Sequence, residues 1–194
     1  LISYKDIKVK TIFDILSESG KTSGIISLPI AYPPFKLNGF MISCDILTPS
    51  TNFDFTYPKK LLNKIGIEKK DYILNVNPRK YIPDNKEGFI SDLIKQAEMR
   101  ERISFKLVDI YDWDLFVLVF GGTDRLQHFF WHYIDETHSR YNKTEAQTML
   151  PLIIKYYQKI DSIIGRFIKS MDDNTSLFII SDHGFGPLEK NIAL

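Results

Sequence analysis

The chain has 194 residues, 44% of them hydrophobic and 25% charged, and a formal net charge of +1, an ordinary balance for a globular domain with one sizeable core. That near-neutrality gives no electrostatic case for nucleic acid or an anionic membrane, and no apolar run approaches the roughly 18–20 residues that span a bilayer. Cys44 is the single cysteine, which excludes an internal disulfide and suits a reducing, cytoplasmic setting.

In chain order, a polar lead-in ends at Thr11. Ile12, Ile15 and Leu16 then fall at helical spacing, with Gly20 placed to stop the helix. Gly24–Leu28 reads as a short strand halted by Pro29. Residues 29–58 are punctuated by Pro29, Pro33, Pro34, Pro49 and Pro58, with a tight turn at Asn38-Gly39. Two readings stand for that stretch, a lid facing substrate and an excursion packed by its own aromatics. Lys59–Ile65 predicts a short helix and Tyr72–Val76 a strand. Lys86 to Ile110 predicts a long amphipathic helix whose charged string Glu98, Arg100, Glu101 and Arg102 forms a solvated face.

The apolar run 115–120 predicts a strand, and Asp124 to Tyr133 a helix that gives way to a polar loop through His138 and Tyr141. Thr144-Glu145-Ala146-Gln147 predicts the capping box of a helix reaching Met171, with Pro151 tolerated near its start and a core ridge through Leu150, Ile153, Ile154 and Tyr157. After a turn at Asp172-Asp173-Asn174, Leu177–Ile180 predicts a last strand. Strands separated by long helices imply right-handed crossovers, hence an α/β fold with a mainly parallel sheet and helices on both faces. The whole of 1–194 is expected to form one domain.

Chemistry concentrates where two predicted strands end. The run 115–120 empties through Gly121-Gly122 into Asp124 and His128, and the run 177–180 into Asp182 and His183, flanked by Gly184 and Gly186. Asp124 and His128 stand at i and i+4 and share one helix face, whereas Asp182 and His183 converge only on a tight turn. Mixed carboxylate and imidazole donors suit Zn²⁺, Mn²⁺ or Fe better than Ca²⁺, and Mg²⁺ where carboxylates dominate; two such pairs suit two ions acting on a phosphoryl group. The alternatives are structural: Asp124 as a helix N-cap, and each histidine as a hydrogen-bonded packing residue. His132 lies one turn beyond His128 and either extends the ligand set or packs among Phe129, Phe130 and Trp131. Cys44 has neither an adjacent base nor a glycine elbow and is a poor nucleophile.

The segments Gly122-Thr123-Asp124-Arg125-Leu126-Gln127-His128-Phe129-Phe130-Trp131 and Ser181-Asp182-His183-Gly184-Phe185-Gly186-Pro187 resemble the type I phosphodiesterase/nucleotide pyrophosphatase group of the alkaline phosphatase superfamily. The nearest branch is that of the phosphohydrolases and phosphomutases, to which Tyr32-Pro33-Pro34, Asn38-Gly39 and Thr48-Pro49-Ser50 are also similar in order. The resemblance implies an alkaline phosphatase-like core and two divalent ions, zinc above all, with manganese or magnesium as alternatives. It implies that Asp182 and His183 bind the ion touching the nucleophile, and Asp124 and His128 the other.

In that group a Thr, Ser or Cys attacks phosphorus and the covalent intermediate is hydrolysed. Neither Thr11 nor Thr22 sits in the matching context, so the nucleophile is expected outside this chain, which reads as an internal piece of a larger catalytic domain. The expected activity is metal-dependent hydrolysis of a small phosphorylated substrate. A phosphomutase, or a binding domain that kept the fold without the chemistry, are the alternatives. Gln127 stands where the diesterases commonly have glycine, and Arg125 either meets a substrate anion or is a surface charge.

Overall fold

Ser23-Gly24-Ile25-Ile26 is buried at every position, and Ser27 follows at φ 61°, a left-handed conformation through which no strand continues. In the computed structural model, which describes residues 4–44, 48 and 54–188, this run is β1 (Ser23–Ile26). β2 (Gly39–Ile42) pairs with it in parallel on one side and β4 (Leu115–Leu118) on the other, while β3 (Thr56–Tyr57) adds antiparallel to β2. The order is β3-β2-β1-β4, mainly parallel as the sequence predicts. Two compact units result, Leu1–Asn77 with Glu98–Phe120, and Pro78–Ala97 with Gly121–Leu194.

The first unit holds the sheet. Alternation along β1 and β2 sends Ile26, Phe40 and Ile42 to one face, where they meet Met99, Ile103 and Leu107 of the long helix α3 (Lys86–Ile110). Ile25 and Met41 point the other way, onto Phe13 of α1 (Ile12–Glu18) and onto Ala31, Phe35 and Leu37. Helices therefore cover both faces, and each fully buried aliphatic side chain contributes about 1.5–3 kcal/mol. Gly24 cannot be larger: a Cβ there would strike the rings of Phe40 and Phe116 on the flanking strands. A Thr11–Asp14 capping box opens α1, and Gly20 follows it at φ 75°. α2 (Leu61–Lys64) and two short 3₁₀ turns, Tyr4–Asp6 and Lys69–Asp71, also belong to this unit.

The second unit is helical. It comprises the first half of α3, then α4 (Gly122–Ile134), α5 (Lys143–Ser170) and the segment after it. Phe89 of α3 meets Phe130 of α4 edge to face at 6.0 Å. Gly122 lets α5 approach, since a Cβ there would overlap the Tyr156 hydroxyl. Lys86 donates to Tyr133 at 2.6 Å and pairs with Glu145 at 2.9 Å, and the Tyr133 hydroxyl donates to the same carboxylate. No helix among the described residues is long and apolar enough to cross a membrane.

Several expectations change. Leu177–Ile180 forms no strand: its backbone joins no ladder, and Phe178 and Ile180 are 81% and 89% exposed. Tyr72–Val76 also stays irregular, although Tyr72 and Val76 are buried. Arg100 and Glu101 are buried rather than solvated, and the Arg100 guanidinium donates to the Val119 carbonyl just past β4 at 3.4 Å. α5 is capped by Asn142, whose side chain accepts from the Glu145 amide, not by Thr144; Pro151 lies inside the helix. The buried ridge of α5 is Ala146, Met149, Ile153, Tyr156 and Ile163, leaving Ile154 and Tyr157 exposed. Within 29–58, expected as a lid or excursion, β2 and β3 form; residues 45–47 and 49–53, including Pro49 and Ser50, lie outside the described residues.

Candidate active site

α4 begins without a side-chain cap, at Gly121, so Asp124 sits in the first turn and not at the cap position. An acidic group there faces the positive end of the helix dipole. One turn later His128 lies on the same face, its Nε2 3.4 Å from Asp124 Oδ1. The segment 181–187 supplies the second pair. His183 Nε2 stands 3.8 Å from Asp182 Oδ2 and also 3.8 Å from Asp124 Oδ1. Within the second unit both imidazoles thus approach one oxygen of Asp124, and Asp182 joins them through His183.

Local hydrogen bonds orient the second pair. Ser181 Oγ donates to the His183 carbonyl at 2.6 Å, tightening the turn. His183 Nδ1 is 2.9 Å from the Gly184 carbonyl. A carbonyl only accepts, so Nδ1 carries the proton and, in the neutral ring, Nε2 keeps its lone pair facing Asp124. The Gly184 carbonyl, then the Asp182 carboxylate, raise the His183 pKa above its ordinary value.

An aromatic group the sequence did not flag joins these residues. The Phe185 ring meets His128 edge to face at 4.8 Å, His183 at 5.5 Å and Trp131 in a stacked arrangement at 6.2 Å. Trp131 Nε1 donates to Asp135 Oδ2 at 3.2 Å. The available signal was a lone aromatic between two turn glycines. His132 is placed elsewhere, against Tyr133 at 4.0 Å and 6.1 Å from His138, and burial followed by the Arg140 charge lowers its pKa. His138, expected in solvent, is buried; its Nδ1 accepts the Arg140 amide at 3.0 Å and so closes the loop between α4 and α5. Cys44 is buried in the first unit.

The donor set suits a divalent ion in kind. Two ligands bonded to tetrahedral zinc at about 2.0–2.1 Å lie roughly 3.3 Å apart, close to the Asp124–His128 spacing. Neither pair is a complete site: among the described residues no group of three or more His, Cys, Asp or Glu side chains is arranged to hold an ion. Thr11 is engaged in capping α1, and Thr22 Oγ1 accepts the Asn38 amide at 3.4 Å, so neither is presented as a nucleophile.

A sequence model of the type I phosphodiesterase / nucleotide pyrophosphatase family matches residues 9–194. No curated protein and no solved structure matches the chain. A family match that takes in α1, the sheet, α4 and the Asp182-His183 turn alike carries the conclusion that this chain belongs to the type I phosphodiesterase / nucleotide pyrophosphatase family of phosphoric-ester hydrolases.

Proposed function

We propose that the chain supplies four ligands of a two-metal phosphoric-ester hydrolase, with Asp124 and His128 on one ion and Asp182 and His183 on the other. The observation that carries this reading is the approach of both imidazoles to a single carboxylate oxygen of Asp124. Bound ions, zinc or alternatively manganese or magnesium, supply Lewis acidity toward the phosphoryl oxygens and the nucleophile.

The residues' own part is orientation. The Asp124 carboxylate spreads its charge over two half-sites, and the Gly184 carbonyl holds His183 in the tautomer whose Nε2 can donate an electron pair. The substrate is a small phosphorylated molecule, and the attacking nucleophile comes from outside these 194 residues. The test is metal content together with hydrolysis of a chromogenic phosphodiester by the purified protein that contains this chain. Bound divalent metal and turnover that chelation removes are expected. A metal-free protein that turns over at full rate, or one that transfers phosphate without releasing it, overturns the reading.

A further inference from the structure

We infer that Phe185 is a positioning residue for this site, a ring that clips the Ser181–Pro187 turn to α4 and sets both imidazoles against Asp124. The inference rests on the function proposed above. Electrostatics alone leave the turn loosely held: the His183–Asp124 and His183–Asp182 approaches of 3.8 Å are too long for hydrogen bonds. Among residues 181–188, Phe185 is the one residue that is partly buried and not exposed, while Gly184 and Gly186 beside it have nothing within reach of a Cβ.

The ring's neighbours belong to both half-sites. His128 presents to it at 85° and 4.8 Å, an edge-to-face geometry, and His183 lies tilted at 5.5 Å. Trp131 backs the ring at 27°, and the Trp131–Asp135 hydrogen bond holds the indole from behind. A chain of contacts therefore runs from Asp135 through Trp131 and Phe185 to one histidine of each pair. Residues of this kind do not ligate, yet they set the rotamers of those that do.

Aromatic-region NMR of the full metal-free chain tests the clip directly. Phe185→Ala should move the ring resonances of both His128 and His183, leave those of α5 in place, and be reversed in Phe185→Tyr. Unmoved histidine resonances in Phe185→Ala overturn the inference. Should the alanine variant fail to fold, Phe185→Leu keeps most of the volume, lacks the ring current and gives the same reading. Zinc titration supplies the functional arm: affinity should fall about 10- to 100-fold in Phe185→Ala and be kept in Phe185→Tyr, the cost typical of losing a partner that orients a ligand. Zinc bound equally well by wild type and Phe185→Ala sinks the clip alone. If the protein that contains this chain binds neither zinc, manganese nor magnesium, the two-metal reading falls, and the histidine resonances still decide whether the clip exists.

Discussion

Leu115-Phe116-Val117-Leu118 and Leu177-Phe178-Ile179-Ile180 are nearly the same tetrapeptide, and each leads within a few residues to an Asp and a His. The first is β4, hydrogen-bonded to β1 in register and half-buried along its length. The second pairs with nothing among the described residues and lies exposed, up to 89% at Ile180. β-propensity is the same in both, so the difference is the partner. A strand is stable when a neighbour takes its backbone groups and a face takes its side chains, and only β4 has both. The chemistry does not follow the same division: the unpaired run delivers Asp182 and His183 to the residues that follow the paired one.

The largest effect expected from this comparison is on activity. Asp182→Ala, His183→Ala and Asp124→Ala should each lower phosphodiester turnover by several orders of magnitude, on the order of 10³-fold or more, with unfolding midpoints nearly unchanged. Near-normal turnover in Asp182→Ala or His183→Ala would show that the turn after the exposed run carries no catalytic role, and in Asp124→Ala that the start of α4 carries none. Next in size is a matched pair at the second position of each run. Phe116→Ala should cost about 2–3 kcal/mol, because its ring packs on Phe40 and Trp113, whereas Phe178→Ala should stay within about 0.5 kcal/mol in urea denaturation. Equal costs would mean that 177–180 is paired in solution.

Smaller again is the cap of α5. Asn142→Ala removes the acceptor for the Glu145 amide and should cost about 1 kcal/mol, read from the thermal midpoint.

The smallest effect concerns pH. The Tyr133 hydroxyl and then Lys86 lower the Glu145 pKa, and Lys95 followed by Tyr81 lowers that of Asp92. Depressed folded values mean that these carboxylates contribute stability that is present above the unfolded carboxylate range near ~4 and lost as pH falls through the lower folded values. Exposure keeps each contribution small. Denaturation midpoints measured from pH 6 downward should therefore decline in acid, and Glu145→Gln should flatten part of that decline; an unchanged slope would count against the Lys86–Tyr133–Glu145 network.

Much of this was legible beforehand because it depends on near neighbours in the chain. Helical spacing located α1, α3, α4 and α5, and the i, i+4 relation of Asp124 and His128 followed from the helix alone. Buried charge was not legible: nothing local says that Arg100 will meet the Val119 carbonyl, or that His138 will close a loop instead of facing water. Nor did the sequence separate the packed from the exposed residues of α5, since Ile153 and Ile154 are adjacent and chemically identical yet the first is buried and the second exposed.

What the amino-acid sequence determined by itself was where the Asp and His residues stand and most of the helices that carry them: their spacing, and the turn glycines beside Asp182 and His183. What the tertiary structure decided was which apolar run found a partner strand, and that one imidazole from each pair approaches the same Asp124 oxygen with Phe185 in contact with both rings. The division has a physical origin. Backbone conformation is set over a few residues, but burial and side-chain convergence depend on groups far apart in the chain, whose approach only packing fixes.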